Sequence, residues 1–130
     1  VPEQLRDLVH FLPFVAEEAM PQLYRHAIAT LYPTRYEGFG FPAVESQAVG
    51  TPVLFSAVGS LAELAGPEAM VLPLDDLSAW QQAVRRQVDA DAAPWRVSAQ
   101  ARAWSGRFSW SRSAEAHVAV FRNVSRRAHR

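Results

Sequence analysis

Two carboxylates, Glu37 and Glu45, are separated by seven residues and flank the turn-forming stretch Gly38-Phe39-Gly40-Phe41-Pro42, directly after the apolar run at 28–33. Glycines at a strand-to-helix turn let a ligand approach the backbone, and unpaired N–H groups at a helix start attract phosphate. A carboxylate repels phosphate but accepts two hydroxyl hydrogen bonds at once, which is sugar-binding chemistry. The stretch therefore suits a ligand carrying both hydroxyl and phosphate groups. Taken singly, each acid has a plainer explanation: Glu37 as a solvated charge, and Glu45 as a negative charge in the first turn of a helix.

Other chemistry is weaker. Gly38-x-Gly40-x-x-Ala43 matches the loose dinucleotide-binding fingerprint, which also needs an acidic residue at the end of the next strand to hold the ribose. Ser56 and Ala57 stand there instead, so a nicotinamide or flavin site is the minority reading. Asp89-Ala-Asp91 has the D-x-D form of metal-dependent sugar transferases but falls at a helix junction, where capping explains it better. Asp75 and Asp76 likewise read as a helix start. His10, His26, His117 and His129 are scattered without zinc-ligand spacing, and there is no cysteine to act as nucleophile or ligand. Neither a G-x-S-x-G elbow nor a phosphate-binding lysine loop is present.

The elements that must position the two acids are legible from apolar runs. Residues 8–13, 28–33, 52–57 and 69–74 are continuous rather than alternating, as strands buried on both faces of a parallel sheet are. Helical signals lie between them. Pro42 suits a first turn, Gly50 and Pro52 a stop, and Ser60 with Glu63 has capping-box spacing. The alternation predicts an α/β fold with parallel pairing through right-handed crossovers. Beyond residue 74 the character changes to three amphipathic helices; in the last, Ala116, Val120 and Val124 recur at helical spacing with Phe121 beside them. One domain over residues 1–130 follows, with a β/α part (1–74) and a helical part (75–130). About four strands are fewer than the six or so of a complete nucleotide-binding sheet.

The chain has 130 residues, 49% of them apolar, and a formal net charge of zero. Up to Asp76 there are ten acidic residues and three arginines, and beyond it three acidic residues and ten arginines, so the halves carry about −7 and +7. The arginines lie on polar helix faces without interleaved aromatics, which argues against nucleic acid and for two mutually attracting halves. The absence of cysteine and of any long apolar run suggests a cytoplasmic protein, attached to membrane at most peripherally. The N-terminal valine suggests part of something longer.

Residues from about 9 to 76, and more weakly 108–124, resemble the nucleotide-binding domain of glycosyltransferase family 4, the retaining GT-B enzymes. The specific elements are the E-x7-E pair Glu37 and Glu45, the "GFGFP" between them and the "GTPV" after the helix. The "SLAELAGPEA" stretch is most similar to the mannosyltransferase-like branch. The resemblance implies a partial Rossmann-like C-terminal donor domain. In it Glu37 meets donor-sugar hydroxyls as the catalytic-site carboxylate, and Glu45 holds the nucleotide ribose. Gly38, Phe39, Gly40 and Phe41 face the sugar or diphosphate, and Val58, Gly59, Ser60 and Leu61 lie nearby. It further implies a nucleotide-diphosphate sugar as donor substrate, no cofactor, no metal, and a glycan or lipid-linked sugar as acceptor. The family's phosphate-binding Arg/Lys pair lies upstream of residue 8 and has no counterpart here. The isolated chain is therefore expected to be inactive, and its open sheet edge to favour a homodimer. Two alternatives carry different expectations: an NAD- or FAD-binding oxidoreductase domain, and a non-catalytic carbohydrate or protein interaction module.

Overall fold

The computed structural model describes residues 1–56, 58–89 and 98–128. Three short strands, β1 (Thr30–Tyr32), β2 (Val53–Ser56) and β3 (Met70–Leu72), pair in parallel in the order β1-β2-β3. The helices are α1 (Met20–His26), α2 (Phe41–Val49), α3 (Leu77–Asp89), α4 (Ala99–Ser105) and α5 (Trp110–Ala128). Short 3-10 helices cover Glu3–Leu8 and Gly59–Leu64. The α/β class is as expected, in a partial Rossmann-like arrangement of a parallel sheet, flanking helices and a helical C-terminus.

β2 is the centre of the sheet and is buried along its whole length. Val53 and Phe55 pack with Ala43 and Val44 of α2 and with Leu61 and Leu64. Leu54, pointing the other way, packs with Trp80 and Ala83 of α3. An unbroken apolar run is what a strand covered on both faces requires.

α2 follows the turn that carries the candidate site, and buried polar groups lock it in place. Ser46 Oγ lies 2.9 Å from Thr30 Oγ1 and donates to the Thr51 carbonyl, tying the helix to β1. Gln47, only 1% exposed, donates from Nε2 to the carbonyls of Ala43 and Leu64 and accepts at Oε1 from the Gly66 N–H. A buried amide is tolerated only when its donors and acceptor are matched in this way. Pro42 sits in the first turn and Gly50, at φ +91°, ends the helix, both as the sequence predicts.

Four expectations are corrected. The run at 8–13 is not a strand, so the sheet has three strands rather than four. Val9 is extended, but no neighbouring strand pairs with it among the described residues, and Phe11, Leu12 and Phe14 are exposed. Consequently His10 is not a strand residue. Ser60 does not cap a helix with Glu63: the turn there is 3-10, preceded by Val58, and the Ser60 hydroxyl is used elsewhere. Glu45 lies in the second turn of α2 rather than the first, because the helix begins at Phe41 and Phe41 to Val44 fill the opening turn. The third apolar helix forms as expected, yet Val120, Phe121 and Val124 stay exposed on it. Asp76 does start α3, accepting from the Ala79 N–H at 3.0 Å.

Gln47→Leu keeps the volume of the side chain but leaves the Gly66 N–H without its partner. The expected loss is about 1–3 kcal/mol of unfolding free energy, measured by urea denaturation. A variant as stable as the wild type would show that the amide does not hold α2.

Candidate functional site

β1 ends at Tyr32, the chain turns through residues 33–40, and α2 starts at Phe41, so Glu37 lies in the turn and Glu45 on the helix beyond it. The two glycines of the turn serve different ends. A β-carbon on Gly38 would meet nothing within 4 Å, which leaves that backbone open to an approaching ligand. Gly40 has φ +104° and a β-carbon there would lie 2.2 Å from Leu61 Cδ2, so its bareness serves packing. Among the described residues, the backbone N–H groups of Gly38, Phe39, Gly40 and Phe41 find no internal acceptor.

The loop after β2 buttresses this turn. Ser60 Oγ donates to the carbonyls of Gly38 (2.9 Å) and Phe39 (3.1 Å). Gly59, at φ +53°, brings its backbone against the Glu37 carbonyl. Val58 is half-buried against the core, and Leu61 is fully buried beneath Gly40, so its side chain presents no surface to a ligand. Ser56, where a dinucleotide site would need an acid, is fully buried; its hydroxyl donates to the Thr34 carbonyl and accepts from the Thr34 N–H.

Each glutamate is held by a tyrosine. Tyr32 Oη donates to Glu37 Oε1, which Thr34 Oγ1 also approaches at 3.4 Å. Tyr24 Oη donates to Glu45 Oε2 at 3.1 Å. Among the described residues neither Glu37 Oε2 nor Glu45 Oε1 has a hydrogen-bond partner. Burial pushes both phenols up to about 12; for Tyr24 the Glu45 charge and for Tyr32 the hydrogen bond to Glu37 add to it. Both phenols thus remain protonated donors at neutral pH. Neither tyrosine was among the sequence-derived candidates; the available signal was a polar-tipped aromatic, Tyr32, closing an apolar run five residues before Glu37.

Phe39 and Phe41 belong to an aromatic cluster. Their ring centroids lie 4.9 Å apart; Phe39 meets Phe108 edge-on at 5.8 Å, and Phe41 lies 6.3 Å from Trp110 at the start of α5. A cavity of about 510 Å³ opens between these rings, with Arg107 and Arg112 on its lining. No three histidine or acidic side chains among the described residues are placed to hold a metal ion. Asp89 ends α3, whereas Asp91 and His129 fall outside the described residues. No described helix is long and apolar enough to cross a membrane.

Residues 3–104 match the family described as glycosyl transferases group 1. The chain is 36% identical over 104 residues to O-antigen chain mannosyltransferase B of Escherichia coli, covering 78% of this chain and 27% of that protein. It is 34% identical over 119 residues to D-inositol 3-phosphate glycosyltransferase of a Nocardioides species, covering 90% and 26%. The protein of that name from Geodermatophilus obscurus is 36% identical over 119 residues, with the same coverage. The chain spans about a quarter of the length of these relatives.

The raised phenols have a consequence for stability. A group whose folded pKa exceeds its unfolded value stabilises the fold fully below the unfolded value and loses that contribution as pH climbs through the folded one. Here the window runs from the ordinary 10.0 to about 12. Unfolding free energy measured by urea should fall across that window in the wild type and fall less steeply in Tyr24→Phe and Tyr32→Phe. Parallel curves for wild type and variants would count against the two hydrogen bonds.

Proposed function

Since the chain belongs to the group 1 glycosyl transferases, as the C-terminal domain of a GT-B fold, we propose that it supplies part of the donor site of a retaining hexosyltransferase. The donor is a nucleotide-diphosphate sugar and the acceptor a glycan or lipid-linked sugar. The observation that carries this reading is that Glu37 Oε2, in the turn, and Glu45 Oε1, on the helix after it, both lack internal partners among the described residues while Gly38 between them in sequence is open. Glu37 takes hydroxyls of the sugar and Glu45 the ribose, while the N–H groups from Gly38 to Phe41 face the diphosphate. As the glycosidic bond breaks the diphosphate gains negative charge, so donors fixed in place stabilise the transition state more than the ground state. Glu37 fixes the sugar's orientation. No cofactor or metal enters this reading.

The cysteine-free chain fits a cytoplasmic enzyme, peripherally associated with membrane where the acceptor is lipid-linked. The open edge of β1, where Leu31 is half-exposed, supports pairing with a second copy of the chain. The engaged hydroxyl of Ser56 speaks against the oxidoreductase alternative, because its hydrogen already goes to the Thr34 carbonyl and the side chain carries no carboxylate to hold a dinucleotide ribose.

By itself the chain should transfer no sugar, and detection of transfer from a nucleotide sugar would overturn that. Gly38→Ala separates this reading from a structural role of the turn. The added methyl meets empty space and an unstrained backbone, so thermal stability should stay within about 0.5 kcal/mol of the wild type. Affinity for GDP-mannose or UDP-glucose, measured by calorimetry, should nevertheless drop about tenfold or more through a clash with the ligand, roughly 1.4 kcal/mol. Wild-type affinity in Gly38→Ala would show that the ligand does not approach there.

A further inference from the structure

The phenols of Tyr24 and Tyr32 touch no part of the proposed donor in the reading above, yet each is committed to one carboxylate of the pair. Both stand on rigid supports. Tyr32 closes β1, whose main chain is paired with β2, and its ring packs against the core that includes Phe55 and Val44. Tyr24 is buried on α1, and its carbonyl accepts from Thr51 Oγ1 at 2.6 Å. The bonds use one oxygen of each acid: Oε1 of Glu37 and Oε2 of Glu45. The remaining oxygens, Glu37 Oε2 and Glu45 Oε1, accept nothing among the described residues.

This asymmetry matters because a free glutamate side chain turns about three bonds and loses that freedom when it grips a ligand. A carboxylate already held at one oxygen has given up the freedom before the ligand arrives, so a larger share of each hydroxyl contact appears as affinity. The phenols are also held protonated by burial and by the adjacent carboxylates, so they keep donating across the physiological range.

We infer that Tyr32 and Tyr24 are positioning residues that fix the carboxylates of Glu37 and Glu45 and leave one oxygen of each for ligand hydroxyls. The inference rests on the donor-site reading, with Tyr32 serving the sugar through Glu37 and Tyr24 the ribose through Glu45. A purely structural tyrosine would act on every ligand alike. A positioning tyrosine acts on the part of the ligand that its own glutamate meets.

The test is calorimetric titration of the 130-residue chain with GDP-mannose, UDP-glucose, GDP and UDP. Tyr32→Phe should weaken whichever nucleotide sugar binds by about five- to tenfold, the scale of one lost charge-assisted hydrogen bond acting through its partner. Binding of the corresponding free diphosphate should remain within about twofold. Tyr24→Phe should weaken sugar nucleotide and free diphosphate by equal factors, since both contain the ribose, and should leave the corresponding 2′,3′-dideoxy diphosphate, which lacks the ribose hydroxyls, within about twofold of its wild-type binding. Tyr32→Phe that binds the sugar nucleotide as the wild type does, or that loses both ligand types equally, overturns the role of Tyr32. Unchanged binding of both ligand types in Tyr24→Phe, or an equal loss with the dideoxy diphosphate, overturns that of Tyr24.

A second measurement is independent of ligand and of variants that fold poorly at tyrosine. Ultraviolet titration of the phenols should show Tyr32 ionising at lower pH in Glu37→Gln, and Tyr24 at lower pH in Glu45→Gln, than in the wild type. Unchanged titrations overturn the pairing itself. If the wild type responds to none of the four probes, the donor-site reading fails and the inference falls with it. A wild type that binds, beside a Tyr32→Phe that binds equally well, sinks only the inference.

Discussion

The backbone of Gly40 runs so close to Leu61 that any larger residue would have to displace the core. Leu61 and Leu64 are carried under the turn by the 3-10 helix that follows β2, and both are buried with Phe55. A chain passing over them must bend sharply without a side chain, which the left-handed conformation of Gly40 allows. That bend decides where α2 begins, and with it the turn of the helix on which Glu45 lies. The place of Glu45 on the helix therefore depends on one leucine packed beneath one glycine.

The neighbouring polar groups distinguish this strand-to-helix turn from that of a dinucleotide site. In a dinucleotide site the strand after the turn would end in an acid facing the ribose. Here Ser56 holds that place, and both its donor and its acceptor capacity go to Thr34, at the base of the turn. The carboxylates come instead from the turn itself and from the second turn of the helix, on the opposite flank of the glycines. Both carboxylates thus lie on the same stretch of chain as the open backbone of Gly38.

Legibility followed how local each cause was. The strands within 28–33, 52–57 and 69–74 were readable because burial on both faces leaves an apolar run whatever the rest of the fold does. The run at 8–13 has the same composition but no partner strand, and a sequence window does not report the presence of a neighbour. Ser60 matched the spacing of a helix cap, yet its hydroxyl serves carbonyls more than twenty residues earlier. The two glutamates were legible through their spacing and the glycines between them. Their tyrosines were not, since the bond from Tyr24 to Glu45 spans 21 residues and depends on how α1 packs against α2. The turn of α2 that carries Glu45 is not legible locally, because the helix start depends on Gly40, whose close approach to Leu61 is a tertiary contact.

Order around the site and exposure elsewhere are distributed unevenly. Ser46, Gln47 and Thr51 tie α2 to β1, to the 3-10 helix and to α1, so the helix that carries Glu45 is held on several sides. Phe11 and Phe14 at one end, and Phe121 and Val124 on α5, remain open to solvent. Burying such surface stabilises by roughly 25 cal/mol per Å², and none of these side chains takes part in the hydrogen bonds around α2. The aromatic cluster is where the two regions meet: Trp110 opens α5 and lies against Phe41, which contacts Phe39 between the two glycines.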